Sequence, residues 1–260
     1  MPEAANVAES NRAALAEYAL RLGDDSLILA QQLCAWCGHA PAIEVDLSLT
    51  NLALDLIGQA RGFLSYGAQL RRLNEDADAL AFGRDVLDFR NCLLVEQPDG
   101  DFAQTIARQF LFSSWQQLFL DVLAQSRDAT LAGIAKKAIE EVSYHARFAS
   151  EWIVRLGDGT AESHARMTAG LDWMWRFVDE LFETDPIESA LAEQGLGVDC
   201  AGLRPAWDTA IRKTLAEGTL PMPAVRRSVT GGRQGRHTEH LGRLLADMQF
   251  LQRAYPGANW

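Results

Sequence analysis

Four stretches of this chain repeat apolar residues every three or four positions with no proline to interrupt them, and each is long enough to be a full-height bundle helix. The first, over residues 13–37, carries Tyr18, Leu22, Leu29, Leu33 and Trp36 at helical spacing and is stopped by Gly38 and Pro41. The second covers 45–73, the third 102–125 behind an N-cap candidate at Asp101, and the fourth 130–156, closed by Gly157. At about 1.5 Å of rise per residue, such helices of about 24 to 29 residues are roughly 36–44 Å long. The link from the second to the third is long, about 28 residues, and one long crossover is what a ferritin-like bundle needs. A short helix or loop is expected around 76–91, and shorter helices over 161–183, 187–194, 203–217 and 238–255. No stretch alternates with the two-residue period of a strand, and Asp99-Gly100 and Asp158-Gly159 lie between helical patterns rather than strand-like runs. The expected fold is all-α: a ferritin-like four-helix bundle with additional C-terminal helices, a single domain over 13–260 behind a disordered lead over 1–12.

Charge narrows the partners. With 24 basic against 35 acidic residues the net charge is −11, which argues against nucleic acid and against an anionic membrane surface. No segment approaches the ~18 apolar residues of a membrane span. Residues 1–12 lack the basic and apolar regions of a signal peptide. The four cysteines are too few for a disulfide scaffold in a chain of this length and suit a reducing compartment, so a cytoplasmic location is expected.

The segment Glu141-Val-Ser-Tyr144-His145 almost spells the Glu-x-x-His motif of a di-iron bundle, with the imidazole one residue late. Such a centre takes one Glu from each of two helices and a Glu-x-x-His from each of the other two, all pointing inward. Ile134, Ala138, Glu141, His145, Phe148 and Trp152 share one face of the fourth helix, so Glu141 and His145 are expected to be at least partly buried. The second helix offers a polar stripe of Asn51, Asp55 and Gln59, but amides are poor iron ligands and this helix has no histidine. The third helix has no Asp or Glu between Asp101 and Asp121 and carries Arg108 instead. Asp25 on the first helix does not restore the set. The expectation is a polar network at the position of a lost metal site, built from Asp25, Asp55, Gln59, Arg108, Glu141 and His145, with Arg108 paired to Glu141 or Asp55. No catalytic, cofactor-binding or metal-binding residue is assigned.

Cys34-Ala-Trp-Cys37 closes a helix, the end where the helix dipole disfavours a thiolate, and reads as core packing. The run from Gly231 to His240 lacks the Gly-Lys-Ser/Thr of a phosphate loop and reads as a basic loop opening the last helix, with Thr238 or His237 near its N-cap. Its arginines, Arg226, Arg227, Arg233 and Arg236, are candidates for a partner contact. So are Trp173 and Trp175, which one helix face cannot bury equally, and the terminal Trp260.

Several stretches together carry a family likeness: Tyr18-Ala-Leu-Arg-Leu-Gly-Asp24, Trp36-Cys-Gly-His-Ala-Pro41, Leu54-Asp-Leu-Ile-Gly-Gln-Ala-Arg61, Leu94-Val-Glu-Gln-Pro-Asp-Gly100, Thr105-Ile-Ala-Arg-Gln109, His237-Thr-Glu-His-Leu-Gly242 and Met248-Gln-Phe-Leu-Gln-Arg253. Over residues 16–260 the chain resembles the C subunits of phenylacetyl-CoA 1,2-epoxidase complexes of bacterial aromatic catabolism. The resemblance implies a ferritin-like fold and a subunit without the di-iron ligands. It implies a structural role beside a catalytic di-iron subunit of the same fold, in a complex fed by a reductase subunit that uses NADPH, flavin and an iron–sulfur centre. An independent di-iron oxygenase or oxidase with an irregular site is the alternative, and a redox or storage ferritin-like protein is a third class, disfavoured by the missing third-helix carboxylate.

Overall fold

Two helix hairpins and the crossover between them form the frame. The computed structural model describes residues 2–72, 75–224 and 227–258, and the side chains from Asn11 onward. Helices α1 (Pro2–Ala35) and α2 (Ile43–Arg71) make the first hairpin, the short α3 (Ala77–Phe82) lies in the crossover, and α4 (Phe102–Leu123) and α5 (Ala129–Gly157) make the second. Then come α6 (Ala161–Met174), α7 (Pro186–Glu193), α8 (Cys200–Glu217), α9 (Glu239–Met248) and α10 (Phe250–Ala254). The fold is all-helical, with no strand among the described residues.

Cross-helix partners give the directions. Asp55 meets His145, Gln59 meets Glu141 and Tyr66 meets Asp128, so α2 and α5 run antiparallel. Because α5 also runs back along α4, α2 and α4 are parallel, and the crossover must return the chain along the length of the bundle. Asp101 caps α4 by accepting from the Gln104 N–H at 2.9 Å, and Asp128 caps α5 through the Leu131 N–H at 2.9 Å. Helix α8 lies against α4 and α5. Its Trp207 is fully buried, donates to the Leu111 carbonyl at 3.2 Å, and is flanked by Trp175 and Phe182 at ring-centroid distances of 5.5 and 5.2 Å.

Among the boundaries that differ from the sequence expectation, three are set by contacts with residues distant in the chain. Helix α1 begins well ahead of residue 13; Asn11 is tied to Gln194 at 2.7 Å and Arg12 to the Leu70 carbonyl at 3.0 Å. The helix expected over 161–183 stops at Met174 and continues as two 3₁₀ turns, Trp175–Phe177 and Asp179–Phe182, which bring both aromatic residues onto Trp207. The last helix breaks at Gln249, whose side-chain amide turns inward to the Ala81 and Arg84 carbonyls, each at 3.0 Å.

The crossover is where the sequence is hardest to read and the chemistry most exacting. Phe89, Cys92, Leu94, Val95, Glu96 and Gln97 are fully buried, yet this segment has no helix or strand to pair its backbone, and a buried unpaired peptide group costs about as much as a lost hydrogen bond. Side chains fill the gap. The N–H groups of Arg90, Cys92 and Leu93 donate to Asp24, Asp25 and Glu180 at 2.9, 2.7 and 2.6 Å. The Phe89, Arg90, Glu96 and Gln97 carbonyls accept from His237, Arg233, Gln32 and Arg108 at 3.0, 2.8, 2.9 and 2.5 Å. The loop before α9 completes the lock. Arg233, its side chain only 11% exposed, donates to Asp25 at 3.0 and 2.7 Å, and Glu180 accepts from the Gly231 and Gly232 N–H groups at 2.9 and 2.7 Å. Gly232 is required here, because a Cβ would stand 2.1 Å from the Asn91 carbonyl oxygen.

His237 sits inside this lock with its Nδ1 2.7 Å from Glu96 and its Nε2 3.0 Å from the Phe89 carbonyl. A carboxylate and a carbonyl facing the two ring nitrogens favour a proton on each, the imidazolium form. Burial opposes that charge, but the Glu96 carboxylate, the Phe89 carbonyl and Glu180 outweigh it and raise the pKa. A raised folded-state pKa gives stability that is complete below the unfolded value of about 6.5 and is lost as pH rises through the folded value. Urea unfolding as a function of pH is expected to show this alkaline decline in the wild type and not in His237→Gln. Arg233→Met leaves Asp25 buried without its cation and is expected to cost about 3–5 kcal/mol in the same measurement.

Candidate functional site

The sequence-predicted polar residues do not form one cluster. Asp55 and Gln59 lie one turn apart on α2, Glu141 and His145 one turn apart on α5, and the antiparallel register sets the two pairs opposite each other. His145 Nε2 is 3.0 Å from Asp55 Oδ2. Gln59 Nε2 donates to Glu141 Oε2 at 3.0 Å, and Gln59 Oε1 accepts from Gln116 Nε2 on α4 at 3.0 Å. Gln59 therefore ties three helices together. The site lies at the α2–α5 seam: His145 is fully buried, while the Asp55 side chain is 35% exposed.

Burial favours the neutral form of the imidazole. Its Nε2 donates to Asp55, and its buried Nδ1 has no hydrogen-bond partner among the described residues. Burial lowers the His145 pKa, and the neighbouring Asp55 and Glu141 carboxylates only partly offset it. Gln116 Oε1 and both side-chain polar atoms of Gln109 are likewise buried and unpartnered among the described residues. Gln109 and Gln116 are seven residues apart on α4 and so lie on one face of it.

The donor chemistry does not suit a di-iron centre. The seam supplies two carboxylates, one imidazole and two amides where four carboxylates and two imidazoles are needed. One carboxylate is already engaged by an amide N–H and the other by the imidazole. Among the described residues no group of three His, Cys, Asp or Glu could hold a metal ion.

The remaining candidates lie elsewhere. Arg108, fully buried, pairs with Asp99 at 2.5 Å and the Gln97 carbonyl, not with Glu141 or Asp55. Asp25 belongs to the crossover lock. Arg233 lies inward in that lock and offers no partner surface, whereas Arg227 and Arg236 are exposed. Trp175 packs on Trp207, and Trp173 stays 38% exposed with the Arg176 guanidinium 4.9 Å from its ring centre. Arg226 and Trp260 lie outside the described residues. The core-packing reading of Cys34 and Cys37 is corrected: both are exposed, because α1 ends at Ala35 and the pair rides on its last turn. Three functional side chains escaped the sequence reading. Gln116 was signalled only by its helical spacing from Gln109, Glu96 by an acid inside an otherwise uncharged run before Pro98, and Glu180 by nothing local.

A depressed histidine pKa works in the opposite sense from that of His237. The stability it reports is complete above about pH 6.5 and is lost as pH falls from there toward the folded-state value. The wild type is expected to lose unfolding free energy on that acid side, and His145→Gln to flatten that part of the curve. Gln59→Leu removes the partner of Glu141 and of Gln116 together and is expected to cost about 1–3 kcal/mol, read by urea unfolding at pH 7.

Comparisons with known proteins give the chain its family. A model for the family described as phenylacetic acid catabolic protein matches residues 1–260. The chain is 50% identical over 246 residues to the C subunit of the 1,2-phenylacetyl-CoA epoxidase of Escherichia coli (strain K12), covering 95% of this chain and 99% of that relative. The chain belongs to the phenylacetic acid catabolic protein family.

Proposed function

We propose that this member of the phenylacetic acid catabolic family is a non-catalytic structural subunit of a phenylacetyl-CoA 1,2-epoxidase complex in aerobic phenylacetate catabolism. Its partner is a catalytic di-iron subunit of the same fold, which this chain holds in the active assembly. A reductase subunit with NADPH, flavin and an iron–sulfur centre supplies the electrons, and the complex works in the cytoplasm. The observation that carries the reading is Gln59. At the position where a di-iron bundle needs a ligand, an amide donates to Glu141 and accepts from Gln116, so the carboxylate serves a hydrogen bond between helices. The 50% identity to the C subunit of a bacterial epoxidase supports the choice of complex. The absence of any helix long and apolar enough to cross a membrane, among the residues searched, is compatible with this location.

Iron analysis and reconstitution test the proposal. The chain purified alone is expected to hold no stoichiometric iron and to leave phenylacetyl-CoA unchanged, yet to co-purify with the di-iron subunit when both are expressed. Glu141→Ala is expected to weaken stability or assembly while leaving turnover per assembled complex at the wild-type level. About two irons per chain, with oxidase activity in the absence of a partner, would overturn the proposal in favour of an independent di-iron enzyme.

A further inference from the structure

Of the four cysteines, Cys92 and Cys200 are buried while Cys34 and Cys37 are exposed. The exposed pair spans the closing turn of α1, where the Cys37 N–H donates to the Cys34 carbonyl at 3.1 Å. A turn closed in this way holds its first and fourth Cα atoms within about 7 Å, overlapping the roughly 4.4–6.8 Å that a disulfide accepts. Cys37 Sγ lies within hydrogen-bonding range of Asp46 Oδ2 and Thr50 Oγ1, 3.7 Å from each. The turn keeps its shape without that contact, since Asp46 Oδ1 also accepts from the Gly38 and Ala40 N–H groups at 2.8 and 3.4 Å.

Cys34 also lines an open groove of about 540 Å³ between the end of α1, the crossover and α9, together with Gln31, Asp99, His240, Arg243 and Asp247. The Arg108 guanidinium already neutralises Asp99, and Arg243 shares the rest of the lining with the Asp247 carboxylate and His240. The volume lies in the range of small-molecule clefts, about 300–1,000 Å³, and Arg243 offers a donor for a ligand carboxylate.

We propose that Cys34 and Cys37 form a reversible dithiol–disulfide site that exchanges with small anionic disulfides of the glutathione type entering through this groove. One cysteine thiolate attacks a sulfur of the small disulfide. Its S–S bond breaks, a mixed disulfide forms, and one small thiolate leaves and takes up a proton. The thiolate of the second cysteine then attacks the protein sulfur of the mixed disulfide and expels the second small thiol. The sum is two protein thiols oxidised to one disulfide and one small disulfide reduced to two thiols, with both cysteine protons carried off by the leaving thiols. Desolvation and the adjacent Cys37 push the Cys34 thiol above its ordinary pKa, so the exchange is slow at neutral pH and quickens as pH rises. In a reducing compartment the pair rests as the dithiol and closes only when the thiol pool is oxidised.

The test is incubation of the full chain in glutathione buffers from fully reduced to fully oxidised, followed by alkylation and peptide mass mapping. The expected product is a single Cys34–Cys37 disulfide, free of glutathione, reversed by dithiothreitol, with Cys92 and Cys200 alkylated only after unfolding. In Cys34→Ser the remaining Cys37 should retain a glutathione adduct. Arg243→Ala should slow oxidation by glutathione disulfide several-fold and leave the rate with uncharged hydroxyethyl disulfide unchanged. Stable glutathione adducts on both cysteines of the wild type, an inter-chain disulfide, or four free thiols in the oxidised buffer would each overturn the site. Equal rates for Arg243→Ala and wild type with glutathione disulfide would overturn the role of the groove.

Discussion

A buried stretch of irregular backbone sets the terms for the rest of this molecule. Joining α2 to the parallel α4 obliges the chain to travel the length of the bundle, and here residues 89–97 make part of that journey under cover rather than over the surface. Peptide groups of Phe89, Arg90, Cys92, Leu93, Glu96 and Gln97 exchange water for side chains. Neutral hydrogen bonds contribute only about 0.5–1.5 kcal/mol each, but a buried donor or acceptor left unmade costs about 1–3 kcal/mol. The sequence meets this demand with charge: Asp24 and Asp25 from α1, Glu180 from the 3₁₀ turn, Arg108 from α4, and Arg233 and His237 from the loop before α9. The late helices are therefore structural members of the bundle. Without the loop that precedes α9, the Arg90 carbonyl loses Arg233, the Phe89 carbonyl loses His237, and the buried Asp25 carboxylate loses its cation and keeps the Cys92 N–H.

That demand also explains which parts of the fold could be read from the sequence. Long helices announce themselves by apolar period, and the crossover by the distance between periods. Asp101 could be identified as a cap because capping is decided within three residues. The break at Gln249 could not, since it is set by carbonyls of Ala81 and Arg84 far away in the chain. Asp25 and Arg108 show the same limit at the candidate site. Helical spacing correctly marks them as inward-facing polar groups, but spacing does not say which inward partner they serve. A lost metal site and a buried crossover both call for charged side chains on bundle helices. Asp55, Gln59, Glu141 and His145 meet at the seam; Asp25 and Arg108 hold the crossover.

His237 and His145 show how finely those environments differ. His237 faces two acceptors, which favour its charged form; His145 faces one acceptor in a buried position, which favours its neutral form. Each folded-state preference is satisfied only on its own side of a limit, the first below the raised value of His237 and the second above the depressed value of His145. The two contributions therefore change in opposite senses with pH: the crossover loses strength as pH rises and the seam as pH falls.

The seam is also the place where this bundle most departs from a metal-centred one. Ligation by a metal cluster would cross-link all four helices at once and force their inward carboxylates into register. Hydrogen bonds from a single glutamine reach only α2, α4 and α5, and the imidazole adds only a second α2–α5 tie. Those contacts are individually weak, so the bundle relies on its apolar core and on the elements packed around it. The placement of the other elements fits that requirement: α8 and α6 brace the α4–α5 hairpin, while the crossover lock braces α1. A chain built this way tolerates amides at its centre because its fixed geometry does not depend on a metal cluster there.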